Sequence, residues 1–295
     1  MRSASGTLKT FLATKQPWWS ADLFTITLSD GTVLRYASSG IPITYGGNTW
    51  LATGPLFQRS SWKMAGIGDT SEMVVQINTN GADYTANFKL IAHNGYLDGA
   101  TVLLQRAVMA VLGDTTMGIV TMFSGRVSQI DIDGIGVKMS VKAPTISLQQ
   151  QFPRNRYTAG CMWTLYGTGC GLTRATWTAA NTVGASGITN TSVPTPGNWI
   201  LPSTVIAPMS ELILGTFKII SGAGAGQARP IVGGTSSAGT GYILLGYPLY
   251  TLPAPGDSII AVLGCNRSKT VCTNVFGNSQ NYRGFDYIPP AETAF

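Results

Sequence analysis

The chain holds four cysteines, Cys161 and Cys170 in RYTAGCMWTLYGTGCGLTR and Cys265 and Cys272 in LGCNRSKTVCTNVFGN. Thiols in two pairs can form one four-thiolate metal site or two disulfides, for which three pairings exist. Arg154, Arg156 and Arg174 flank the first pair, Arg267, Lys269 and Arg283 flank the second, and residues 151–175 and 258–285 contain no Asp or Glu. Thiolates are anionic, so nearby cations lower thiol pKa and favour ligation, whereas a disulfide is neutral and gains nothing from them. The charge pattern favours a common four-thiolate site, while an even cysteine count by itself is equally compatible with disulfides.

The opening residues MRSASGTLKTFLATKQPWW lack the continuous apolar stretch and small-residue cleavage site of a secretory signal. The expectation is a reducing compartment, where clustered cysteines serve metal binding or catalysis more often than cross-linking. The spacings C-x8-C and C-x6-C are wider than the C-x2-C knuckles of common zinc sites. They weaken zinc without excluding it.

Other residues with chemical potential read as structural. The only histidine, His93, falls in the last turn of an expected helix, where a C-terminal position favours a cation. That leaves a Ser/His/Asp triad without a suitable base. Asp131 and Asp133 share a strand face but sit beside a hairpin, where solvent-facing carboxylates are ordinary. The glycine-dense GAGAGQARP at 222–230 lacks the Gly-Lys-Ser/Thr ending and following helix of a phosphate loop, so a β-turn is expected. Trp163, Tyr166 and Phe276 could wall the cysteine site but read first as packing. Asn278, Asn281 and Arg283 read first as loop-capping groups. No catalytic residue is assigned.

The elements that must position the cysteines are mostly strands. DLFTITLS and TVLRYASS alternate around Asp30-Gly31, a hairpin dipeptide. PITYGG with NTWLAT, MVVQIN, TVLLQRAVMAVL, IVTMFSGRVSQIDI and GVKMSVKA follow, the last pair turning at Asp133-Gly134. A helix is expected from Asp83 through Tyr84, Phe88 and Ile91 to Asn94-Gly95, and a second helical signal, PTISLQQQF, ends at Pro153. This predicts a mainly β (β-rich α+β) protein: an N-terminal β-rich domain over 1–150 with one or two short helices, and a cysteine-bound domain over 151–295. The latter carries a small β-barrel or sandwich insert at about 176–262, with strands in LGTFKIIS, RPIVGG, GYILLGYP and DSIIAVL.

Charged residues make up 11% of the 295 positions, well below the roughly 25% of average soluble proteins. Such a surface suits a part buried in a larger assembly. The formal charge of +6 is matched by the six cations flanking the cysteines, so no extended nucleic-acid stripe is indicated. No uninterrupted apolar run reaches the length of a spanning helix, which argues against an integral membrane protein.

The run CNRSKTVCTNVFGNSQNYRGFDYIP, together with GYLDGATVLLQ, FSGRV and PRNRYTAGCMWTLYGTGC, resembles the tail-tip and baseplate hub family of long-tailed bacteriophages, which includes the minor tail protein L of phage lambda and the hub of gene transfer agents. The likeness covers most of the chain and is most specific at the end: two cysteines, F-x-N, N-x-x-G-F and a closing proline. Asp286 stands where the family usually has proline after Gly-Phe. The resemblance implies that Cys161, Cys170, Cys265 and Cys272 bind an iron–sulfur cluster, [4Fe–4S] before other types and with zinc as the lesser alternative. It also implies a structural, non-enzymatic subunit of the virion, made in the host cytoplasm and forming a homotrimeric ring. The expected neighbours are a distal tail or tube protein, a central tip or fibre protein and the tape measure, with no sequence-specific nucleic-acid binding. Gly160, Gly169, Gly171 and Gly264 would then let backbone N–H groups approach cluster sulfurs. A disulfide-bonded β-rich binding or adhesion module is the alternative from a different class.

Overall fold

A computed structural model describes residues 4–61, 71–78, 88–133, 136–149, 157–237, 240–285 and 287. The chain divides into two compact units, Met1–Gln150 and Gln151–Phe295. Both are mainly antiparallel β, and each sheet curls as a half-barrel.

The first unit opens with α1 (Gly6–Ala13), capped by Ser5, whose hydroxyl accepts from the Leu8 N–H. Its strands are β1 (Trp19–Thr27), β2 (Val33–Ala37), β3 (Ile43–Tyr45), β4 (Asn48–Trp50), β5 (Leu56–Arg59) and β6 (Glu72–Asn78). Helix α2 (Phe88–His93) is followed by β7 (Thr101–Met109), β8 (Ile119–Ile132) and β9 (Gly136–Lys142). Seven of these strands form one sheet in the order β2-β1-β7-β8-β9-β6-β5, and β3 pairs with β4 as a separate hairpin. The alternation read from the sequence becomes a buried face carrying Phe24, Ile26, Val75, Ile77, Val102, Leu104, Met139 and Val141, onto which Phe88 of α2 packs. Curling brings the edge strand β5 back over β1, so that Phe57 stacks on Phe24 with ring centroids 5.0 Å apart.

Several local expectations sharpen here. The Asp30-Gly31 hairpin has a three-residue loop, closed by Leu28 N–H on the Thr32 carbonyl, with Gly31 at φ 89°. Gly46 and Gly47 both take positive φ between β3 and β4, a turn that a side chain would strain. The Asp83–Tyr84 start of the expected helix, Gly134 and Asp286 lie outside the described residues. The described part of PTISLQQQF is a 3-10 helix, Pro144–Gln149.

The second unit contains β10 (Thr178–Thr182), β11 (Ser192–Pro196), β12 (Trp199–Ile200), β13 (Ile206–Ala207), α3 (Met209–Leu212), β14 (Thr216–Ile219), β15 (Ala228–Ser237), β16 (Thr240–Leu245), β17 (Ser258–Val262) and α4 (Lys269–Asn274). Its eight strands run in the order β11-β16-β15-β14-β17-β10-β12-β13 around a core that includes Trp199, Phe217, Ile219, Ile231, Ile243, Ile259 and Leu263. The GAGAGQARP segment is a turn, as expected, with Gly222 and Gly226 at positive φ, and it runs straight into β15. Leu165, Leu172, Cys265, Val271 and Val275 pack against the same core. The cysteine stretches are therefore built onto the end of this half-barrel.

Candidate functional site

Two stretches, 157–173 and 264–285, the second carrying α4, are laced together. Cys161 N–H donates to the Arg267 carbonyl at 2.8 Å, Phe285 N–H to Thr158 at 2.9 Å, and the Tyr282 hydroxyl to Ala159 at 2.8 Å. The Tyr166 hydroxyl reaches the Leu263 carbonyl at 2.9 Å and fixes the first stretch to the end of β17. Ser268 caps α4 by accepting from Val271 N–H, which sets the helix that carries Cys272.

The consequence is convergence: Cys161, Cys170, Cys265 and Cys272 all line one cavity of about 190 Å³, whose walls also include Trp163, Leu172, Leu214, Arg267, Phe276 and Asn278. All four are free thiols, Cys272 buried and the others partly exposed. Among the described residues no group of three or more Cys, His, Asp or Glu stands close enough to hold a single metal ion. The four thiols share one space.

The electrostatics differ from the sequence expectation. Burial pushes the Cys265 thiol above its ordinary value, opposed by the Arg267 N–H that donates to its Sγ at 3.3 Å; the Cys170 and Cys161 thiols raise it further and the Arg267 charge lowers it. Burial also raises Cys272, reinforced by Cys161, Cys265 and Cys170. Surrounding cations do not prevail because Arg174, Lys269 and Arg283 are exposed, and Arg283 spends Nη1 on the Gln280 and Tyr282 carbonyls. Arg283 is a loop cap, as expected. Arg154 and Arg156 lie outside the described residues.

The aromatic expectation holds in part. Trp163 and Phe276 wall the cavity, and Phe276 meets Trp177 edge-on at 4.9 Å. Tyr166 instead serves as a strut, its phenol pushed up chiefly by burial. The glycines have reasons of their own: a Cβ on Gly169 would lie 2.3 Å from the Trp163 ring, and one on Gly264 would lie 2.1 Å from the Ile213 carbonyl. Close packing requires glycine at these two positions.

Sequence reasoning underrates Asn278. Its Nδ2 donates to the Cys170 carbonyl at 2.7 Å and lies 3.7 Å from Cys170 Sγ, while its own carbonyl accepts from Cys272 Sγ at 3.3 Å. The signal available is its position six residues after Cys272, which one turn of helix and a reversal bring back to the thiol.

Three of the five non-glycine residues described at positive φ, Tyr166, Leu214 and Arg267, belong to this site or support it. Backbone strain of this kind persists where surrounding structure enforces it, and it concentrates at functional sites. By contrast, the exposed Asp131 carboxylate, near the end of β8, accepts from Gln129 Nε2 at 3.1 Å.

The fold and thiol site define a two-unit β-rich protein whose second unit gathers four free thiols around one cavity. Residues 5–173 match the family described as "Baseplate hub protein, N-terminal attachment domain", and residues 213–292 match one described as "Phage conserved hypothetical protein BR0599". The chain belongs to the baseplate hub protein family, as a structural component of the virion. Among solved structures it is similar to a chain of the "Virion of native gene transfer agent (GTA) particle", with a TM-score of 0.72, 19% identity, and coverage of 97% of this chain and 93% of that one. No curated protein matches. Among the described residues, no helix is long and apolar enough to cross a membrane.

Proposed function

We propose that this hub subunit binds an iron–sulfur cluster, [4Fe–4S] by preference, through Cys161, Cys170, Cys265 and Cys272, and that the cluster's role is structural. The observation that carries the reading is the meeting of four free thiols around one cavity of about 190 Å³. A tetrahedral zinc bound at about 2.3 Å from each sulfur would draw the sulfurs to about 3.8 Å from one another. A cluster, to which four cysteines are the usual ligands, occupies more space than one ion, and membership of the baseplate hub family supports it as the reading. Trp163, Leu172 and Phe276 would limit solvent at its apolar side. When bound, such a cluster supplies iron–thiolate bonds that join the two cysteine stretches; the chain's part is to bring the donors together.

The same reading makes the subunit non-enzymatic and places it in a homotrimeric ring next to the distal tail or tube protein, the central tip or fibre protein and the tape measure. Family membership supports this, as does the likeness to a chain from a gene transfer agent virion. Exposed apolar side chains such as Trp18, Trp19, Val111, Ile206 and Tyr247 on a weakly charged chain suit a subunit packed against neighbours. Protein purified without air should be brown and contain iron and acid-labile sulfide, and its solution mass should be that of a trimer. Two intact disulfides in place of the metal would overturn the cluster, and a chain missing from isolated tails would overturn the assembly role.

A further inference from the structure

Resting on that reading and deepening it, we propose that Asn278 is a positioning residue that holds Cys170 as a ligand and, through an N–H···S contact, draws electron density from its sulfur. One amide nitrogen carries two protons, and the structure offers it two acceptors on the same residue, the Cys170 carbonyl at 2.7 Å and Sγ at 3.7 Å. The amide's orientation is set from behind: Asn281 Nδ2 donates to Asn278 Oδ1 at 2.8 Å, so the oxygen faces Asn281 and the nitrogen faces Cys170. Room for Asn281 is provided by Gly171, at φ +72°, where a Cβ would stand 3.2 Å from the Asn281 nitrogen. A bond from Asn278 N–H to the Cys272 carbonyl at 2.9 Å ties the residue to α4. Gly171, Asn281 and Asn278 thereby form a relay that fixes one sulfur from the first cysteine stretch against the turn that carries a sulfur of the second.

Groups around a metal ligand orient it, and their loss typically costs about 10- to 100-fold in metal affinity. Hydrogen bonds to cluster sulfurs favour the more negative, reduced state and so raise the reduction potential. Backbone supplies a comparable donor at Cys265, from the Arg267 N–H at 3.3 Å. Asn278 contributes the side-chain counterpart and can be altered without touching a ligand.

The test uses the full-length chain with Asn278→Leu, which keeps the side-chain size and neutrality but removes the donor, and with Asn281→Ala, which leaves Asn278 in place but unheld. In reconstituted protein, Asn278→Leu should shift the reduction potential to more negative values and speed iron loss to a chelator at least about tenfold. Asn281→Ala should do the same to a smaller extent. In cluster-free protein, alkylation followed by peptide mass analysis should show Cys170 labelled several-fold faster in both variants, with Cys161, to which Asn278 makes no hydrogen bond, unchanged. An unaltered potential in both variants at full iron content overturns the proposal. If the wild type holds no iron, the cluster reading itself fails and the labelling decides the positioning role, equal Cys170 rates overturning it.

Discussion

Asp22 accepts from two guanidinium groups, Arg59 Nε at 2.6 Å and Arg106 Nε at 2.8 Å, with all three side chains partly buried. Arg106 is its cross-strand partner on β7, but Arg59 arrives from β5 only because the sheet curls. Asp22→Ala would leave two partly buried cations without their carboxylate, a change that costs about 3 kcal/mol. Chemical denaturation of the variant should show that loss in the first unit. Gly169→Ala is the corresponding test at the thiol site: the new methyl overlaps the Trp163 ring, and over-packing of this kind costs about 1–3 kcal/mol. A lower melting point for the second unit and a changed Trp fluorescence are the expected readings. At this scale the four cysteines were legible because a thiol advertises its chemistry by type. Asn278 was not, because an amide caps loops far more often than it touches sulfur, and only the fold reveals what it faces. At Cys265 and Cys272 burial outweighs the flanking cations, whose exposure could not be read from their order in the chain.

At the scale of elements, Gln227 shows how an irregular segment is held to the half-barrel. It is fully buried, donates to the Gly224 and Thr251 carbonyls at 3.2 and 2.9 Å, and accepts from Tyr250 N–H at 2.7 Å. Gln227→Leu would strand those backbone groups away from water, so the second unit should lose about 2 kcal/mol, read as a lower denaturant midpoint. Glu211, in α3, has its carboxyl raised above the usual 4.5 by burial. A raised carboxyl favours the protonated folded form, so this contribution to stability is fully present below about pH 4.5 and disappears as the pH climbs through the raised value. Glu211→Gln should remove that part of the pH dependence, which melting curves between about pH 4 and 7 would reveal; identical profiles would count against it. Long alternating strands such as β1, β7, β8 and β9 were legible because one face must be buried with a period of two. Strand β11 was not: SVPTP carries Pro194 and Pro196, which sequence patterning treats as breakers but which an edge strand paired only with β16 accommodates. Strand β5 was missed because four residues are too few to establish a period.

At the scale of the molecule, each unit possesses its own core, and every cysteine lies in the second. Cys170 and Cys265 bracket 94 residues, almost the entire half-barrel, so a shared cluster would close the barrel's two ends upon each other. Restricting an unfolded loop of about 100 residues with a covalent cross-link contributes about 4.7 kcal/mol of chain entropy, and thiolate ligation acts on the same loop while adding its own binding free energy. Removing the cluster should therefore separate the two units thermally. Calorimetry of the loaded protein and of protein stripped by a chelator under reducing conditions should show the second unit's transition falling by many degrees and the first unit's staying in place. Cys265→Ser should reproduce the stripped profile, because one lost ligand opens the cross-link at the barrel's exit while the core residues Phe217, Ile259 and Leu263 remain intact. Limited proteolysis gives an independent reading, with earlier cleavage after residue 150 and unchanged survival of the first unit. If stripped, mutant and loaded proteins melt together, the cysteines do not tie the half-barrel shut, and its stability comes from its apolar core alone.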